Sequence, residues 1–393
     1  MKRLVFLLFL LIVLPVHAQL QEPLIGPLVA VTPAQQDRIL IHDIANGNTR
    51  TLRFGYGELH VWDFSPDGCR ILFTLDSDLA RLPRLYSARL DGSDVQEMVV
   101  YQDDSVRGWG VWEPDWSPTG LIAFTMIRDF YYTDGTTHRD THIAYIDGAA
   151  PAEPEFYSVT GREYTPTWSP DGTWLAYISY DRRMPGEDIY STAVPTPEGT
   201  PAPDNLSEIL LNEADLWVVS ADAQTKYRLT NFMTGSMRAP RWSPDGELIG
   251  FIYSPSPNND TFWMIGNSPN ALPTQLSGLW NLTLDHTWLP DSSAMLASVR
   301  DFRGIRENRL WRIPLVGNAD DTATLYIEDD TFIHTDFPRF SADGRYLAFR
   351  NAYSLVVIDT INATWQRFDE NLPGNTPPIW SPAAFTGEAS CLQ

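Results

Sequence analysis

The sequence predicts an all-β fold, a single β-propeller of seven four-stranded blades. Six blades is the alternative, and the ring is closed by the C-terminal strand joining the N-terminal blade. Three observations predict it: a turn motif recurs at a period near fifty residues, short strand-like runs separate its copies, and each end of the chain supplies an incomplete blade. Periodicity of this kind marks a repeat architecture and outweighs local propensity.

The repeated motif is an aromatic residue followed by Ser-Pro-Asp-Gly. It stands at Phe64–Gly68, Trp168–Gly172 and Trp242–Gly246, with variants at Trp116 (Thr119 for Asp), Trp288 (Leu289 for Ser, Ser292 for Gly) and Phe340 (Ala342 for Pro). A truncated copy, Trp380-Ser381-Pro382, lies close to the C-terminus. Successive aromatics are 52, 52, 74, 46, 52 and 40 residues apart. Ser, Pro, Asp and Gly suit the four positions of a type I turn, because proline pre-sets φ and glycine suits the last position. Flanked by apolar residues, such a turn closes a hairpin. Three further strand-like runs follow, for example Trp174–Tyr180, Leu216–Ser220 and Tyr227–Thr230, or Leu248–Tyr253, Phe262–Ile265 and Thr274–Leu276. Four short antiparallel strands per unit describe a propeller blade.

Leu28–Thr32, Arg38–Ile44 and Thr49–Phe54 precede the first motif and lack an innermost strand, which Pro378-Ile379-Trp380 supplies. Closure through this shared blade removes two open sheet edges. It also places Cys69, just after the first turn, beside Cys391. A Cys69–Cys391 disulfide locking the ring and two unpaired thiols are both open at this point.

Composition excludes several classes. With 28 Lys+Arg against 50 Asp+Glu the net charge is −22, which argues against a nucleic-acid partner. Two cysteines cannot build a disulfide scaffold, a Cys₄ zinc site or an iron–sulfur cluster. Lys2 and Lys226 are the only lysines. Lys2 and Arg3, the apolar run Leu4–Pro15 and Val16-His17-Ala18 read as a signal peptide over residues 1–18. The expectation is an exported, secreted or periplasmic chain with no transmembrane segment after cleavage, propeller over 19–393 and monomeric.

The W-S-P-D-G units, with runs such as Leu175-Ala176-Tyr177 and Leu347-Ala348-Phe349, resemble the WD40-like (PD40) repeats of TolB-type propellers across residues 28–382. The resemblance implies the fold and an extracytoplasmic binding role. TolB itself carries an α/β domain ahead of its propeller, whereas here the first strand follows Ala18 closely.

No G-x-S-x-G, H-E-x-x-H, C-x-x-C or phosphate-loop motif occurs. His138 and His142 read as a loop entering a strand, a poor metal pair. No cofactor is expected, although acidic loops leave Ca²⁺ open. Topology places candidate binding residues on the loop face opposite the S-P-D-G turns. From the connections between blades come Trp109, Trp112, Glu113, Arg162, Glu163, Arg238, Trp280, Asp285, His286, His334 and Asp336. The loops between second and third strands add Asp76, Arg128, Asp129, Asp181, Arg182, Arg183, Asp301, Arg303 and Arg306. Arginine and tryptophan are typical anchors of interfaces, so a protein, peptide or envelope glycan is the expected partner. The competing expectation is a propeller lyase, glycosidase or lactonase using carboxylate and His chemistry at the channel mouth. About 182–213 is a Pro/Thr-rich insertion. Asn205, Asn259, Asn281 and Asn362 begin N-x-[ST] sequons.

Overall fold

A computed structural model describes residues 22–392 except 77–81, 103–107, 132–136, 159–160, 181–213, 233–234, 257–258, 279, 281–282, 301 and 375. The expected signal peptide, the insertion, and Asp181, Arg182, Arg183, Asp301, Asn205 and Asn281 lie outside the described residues. The strands form seven four-stranded antiparallel sheets, each running from an innermost to an outermost strand. Blade 1 orders Ile379–Trp380, Leu28–Val31, Ile39–Asp43 and Thr49–Leu52, so both ends of the chain share one sheet. Blades 2 to 7 begin with Glu58–Phe64, Gly108–Trp116, Glu163–Trp168, Ser236–Trp242, Thr283–Trp288 and Thr335–Phe340. Among the described residues no helix is long and apolar enough to cross a membrane.

The motif forms the turn between first and second strands for a reason visible in its hydrogen bonds. In blade 2 the Gly68 N–H donates to the Ser65 carbonyl (2.7 Å), and Ser65 Oγ accepts from Arg70 N (2.8 Å) while donating to Asp67. Ser169 with Asp171, Ser243 with Asp245 and Ser341 with Asp343 repeat the Ser–Asp bond. Where Thr119 replaces Asp, its hydroxyl meets Ser117 Oγ at 2.8 Å. Gly68 needs its lack of a side chain, for its φ is +72° and a Cβ would stand 2.5 Å from Phe385.

The motif aromatics are wedged between blades and stitched to the preceding one. Indole N–H groups of Trp242, Trp288 and Trp380 donate to the carbonyls of Thr167, Arg241 and Arg339, at 2.9–3.0 Å. For Trp116 and Trp168 the backbone N–H is captured instead, by Asp63 (2.9 Å) and Asp115 (2.6 Å) of the preceding blade. The hydrophobic core is therefore a ring of inter-blade clusters, such as that of Trp168, Leu175, Tyr177, Trp217 and Val219 between blades 3 and 4.

Closure rests on little sheet. Only Val29↔Trp380 and Ala30↔Ile379 pair across blade 1. Beyond them the C-terminal tail docks Phe385, pairs Glu388 with Arg50, and ends in a Cys69–Cys391 disulfide.

One local expectation is corrected. His138 and His142 sit within a strand, Thr137–Asp147, opposite Phe130 and Met126 of its eleven-residue partner. Positions four apart in a strand are about 13 Å apart along the chain, beyond reach of one metal ion. His142 Nε2 instead meets Arg128 at 2.6 Å.

Candidate functional site: the central channel

The innermost strands carry a β-bulge in each of blades 2 to 7. In four blades the bulge is built the same way: Glu113, Thr165, Ala239 and Phe337 have φ of 50–54° and each precedes a proline. The left-handed conformation costs a non-glycine residue roughly 1–2 kcal/mol, and for β-branched Thr165 it is an outlier. Bulges re-aim side chains. In blades 2 to 5 and 7 the residue just before the motif aromatic lies at the bulge and faces the channel, as it does without a bulge in blade 1. Asp63, Asp115, Thr167, Arg241, Arg339 and Ile379 occupy this position and line a cavity of ≈ 360 Å³, joined by Trp62 and Glu113. The signal was present in the sequence as a proline two residues before the aromatic, at Pro114, Pro166, Pro240, Pro338 and Pro378, and sequence reasoning passed over it.

The cavity is electrostatically divided. On one side burial raises the carboxyls of Asp63 and Asp115, and the negative charge of Asp115 raises Asp63 further. Burial likewise pushes Glu113 up to about 7, although its Oε2 accepts the Thr165 N–H at 2.9 Å. On the other side Asp285 of blade 6 bridges Arg241 of blade 5 (3.2 Å) and Arg339 of blade 7 (2.6 Å). Burial opposes its charge, but the two guanidiniums outweigh burial and hold Asp285 well below the usual carboxylate range. Burial and the neighbouring Arg241 bring Arg339 down to about 10. Among the described residues no group of three His, Cys, Asp or Glu side chains is placed to hold a metal ion.

Around the channel, Trp62 contacts His60 (ring centroids 4.3 Å) and Trp112 (6.2 Å). Trp112 stays 46% exposed and Tyr164 38%. Glu113 thus lines the channel, Trp112 stands beside it against Trp62, and His334 is exposed on its loop. Other expected binding residues are committed to the scaffold. Trp109 is partly buried beneath the Arg84 guanidinium, 3.3 Å from its ring centroid. Arg162 is half-buried. Arg238 pairs with Asp260, and Glu163 is buried and accepts from Ser158. Trp280 is buried and donates to Asp320, while Asp336 is buried among Arg350, Asn308 and Ser298. His286 is fully buried against Phe262 and lowered to about 3 by burial and Arg241. Of the second set, Arg128 meets His142, Asp129 pairs with Arg139, and Arg303 donates to the Asp320 and Ala323 carbonyls. Asp76 is half-buried and Arg306 exposed.

No protein-family model matches the chain. An uncharacterized protein of Agrobacterium fabrum is 30% identical over 141 residues, 35% of this chain; the chain spans less than half, 45%, of that relative. Among solved structures, a puromycin-hydrolyzing peptidase of Mycobacterium tuberculosis superposes over 90% of this chain and 53% of its own, at TM-score 0.57 and 16% identity. An oligogalacturonate lyase of Vibrio parahaemolyticus covers 79% of each chain at TM-score 0.52 and 12% identity. TolB from Acinetobacter baumannii covers 90% of this chain and 82% of its own at TM-score 0.46 and 14% identity. At these identities the peptidase and lyase establish a shared propeller fold, found in proteins of different activities.

Proposed function

We propose that this chain is an exported, non-catalytic binding protein that takes a protein, peptide or envelope-glycan partner at the mouth of its propeller channel. The observation that carries this reading is how the channel carboxyls are used. Asp63, Glu113 and Asp115 each accept a backbone N–H from the next blade, so they hold the ring together. The exposed aromatic surface of Trp112, continuous with Trp62, is left for a ligand. Such rings supply contact area at small entropic cost, as in protein interfaces. The experiment is retention of envelope proteins and cell-wall fragments on the immobilised chain. Trp62→Ala with Trp112→Ala is expected to lose retention of a specific partner while the fold, read by circular dichroism, is kept. Unchanged retention refutes this choice of surface.

A catalytic reading draws on one feature, Glu113, whose value near 7 suits a general acid or base. Hydrolysis or elimination of a glycan or lactone that disappears in Glu113→Gln, with binding kept, would replace the binding role. Ca²⁺ remains an open ligand of the acidic loops, tested by metal analysis before and after chelation.

A further inference from the structure

The cavity inside the channel sorts its charges by side. Asp63, Glu113 and Asp115 stand on blades 2 and 3. Arg241 and Arg339, on blades 5 and 7, share the single carboxylate of Asp285. Two guanidiniums on one carboxylate leave a surplus positive charge. Arg241 turns Nε and Nη2 to Asp285, and its side chain keeps 31% accessibility. Among the described residues its Nη1 donates to no protein acceptor.

The opposite wall has the converse deficit. Burial raises all three of its carboxyls; the Arg241 guanidinium acts across the cavity on Asp115 without offsetting its burial, and among the described residues no cation lowers Asp63 or Glu113. A metal ion does not fit the deficit, because no three ligand groups are placed to hold one among the described residues. An organic ammonium does, since it supplies the missing charge and its N–H donors are satisfied by one or two of these oxygens with water for the rest. At ≈ 360 Å³ the cavity is small among ligand pockets, which run roughly 300–1,000 Å³. Trp62 and Ile379 add apolar surface to the lining.

We infer that the channel cavity binds a small zwitterion of the amino-acid type, its ammonium among Asp63, Glu113 and Asp115 and its carboxylate on Arg241. This inference rests on the chain being a binding protein and names a ligand class for the channel below the mouth. Calorimetric titration of the full mature chain with each standard L-amino acid, and with the N-acetyl and amide derivatives of any that binds, tests it. At least one free amino acid is expected to saturate a single site, and blocking either terminus is expected to weaken it about tenfold or more. Arg241→Gln should weaken the free amino acid about tenfold while leaving its amide unaffected. Asp115→Asn keeps an oxygen for the Trp168 N–H, so the ring is retained, and should weaken the free acid and the amide alike. Absence of binding by any amino acid, or equal binding of free and blocked forms, overturns the inference. Partner retention that persists in Arg241→Gln alongside either result leaves the binding role at the mouth standing and removes only the zwitterion.

Discussion

Replacing Cys69 and Cys391 together by serine is expected to cost this propeller more stability than any single core substitution. The bond joins positions 322 residues apart, so it constrains almost the whole unfolded chain. Loop-closure entropy for a separation of that length comes to about 5–6 kcal/mol at 25 °C, in a chain-entropy account that sets an upper value. The folded side offers little to replace it. Only two residue pairs join the C-terminal strand to blade 1. The remaining latch is a pair of bonds between Leu28 and Ser381 (3.0 and 2.9 Å), a pair between Leu24 and Glu388 (both 2.9 Å), the Arg50–Glu388 ion pair, and Phe385 packed on Gly68. Guanidinium unfolding followed by tryptophan fluorescence reads the difference, with fourteen tryptophans spread over the blades. The double variant, and the wild type with reductant, should lose about 3–6 kcal/mol and show a larger denaturant slope, because the uncrosslinked chain exposes more surface. A loss below about 1 kcal/mol with unchanged slope would refute the reasoning, and would place closure in the two-residue strand and the docked tail.

Other expectations follow from the same contacts. Gly68→Ala puts a methyl group against Phe385 in a left-handed turn and should lower stability by about 2–3 kcal/mol, measured by the same unfolding curves. The raised carboxyls of Asp63, Glu113 and Asp115 stay protonated in the folded chain above the unfolded carboxylate range, so their contribution is present at low pH and lost as pH rises through the folded values. His42, His60 and His286, lowered by burial to about 4, 4 and 3, act oppositely, and stability falls as pH drops below about 6.5. The histidines titrate alike in wild type and Glu113→Gln, so the difference between the two isolates Glu113: from about pH 5 to 7 the wild type should lose up to about 1.4 kcal/mol per pH unit relative to the variant, and a pH-independent difference would show that Glu113 is not raised. Arg339→Met leaves Asp285 paired with Arg241 alone and should cost about 1.5–3 kcal/mol in the same unfolding curves, less than the penalty for a buried charge left without any partner.

The repeat, the blade count and the shared blade were legible because each depends on local chemistry. A Ser-Pro-Asp-Gly turn folds the same way wherever it stands, and seven aromatics mark seven sheets. Which polar residues face a ligand was much less legible. Glu163, Trp280 and Asp336 fall at the start of innermost strands or just before them, where topology puts the loop face. Yet Ser158 from the loop five residues before, Arg350 from the cross-strand position of the same blade, and Asp320 forty residues on draw them inward. Whether such a residue is paired within the scaffold or left to solvent depends on side-chain geometry that the turn motif does not encode. The same holds for Lys226, conspicuous as the one lysine beyond the N-terminus. Its Nζ lies over the rings of Tyr177 and Trp217 and donates to Ser158 of the neighbouring blade, 2.8 Å away.

The position before the motif aromatic serves the fold differently from blade to blade. In blades 2 to 5 and 7 it lies at the bulge and lines the cavity, and in blade 1 it lines the cavity without a bulge. In blades 2 and 3 it is aspartate, and its carboxyl also captures the N–H of the next aromatic. In blades 5 and 7 it is arginine, while in blade 4 it is threonine and in blade 1 isoleucine. A purely structural staple would favour the same residue in every blade, because the next blade presents the same N–H each time. The arginines instead leave that N–H aside and bind Asp285. Their stitch is made by the indole of the following tryptophan donating to the arginine's backbone carbonyl, a bond that any side chain would allow. The side chains of Arg241 and Arg339 answer instead to the buried Asp285 between them, and the inferred zwitterion would use only the charge that Arg241 presents to the cavity beyond that pair.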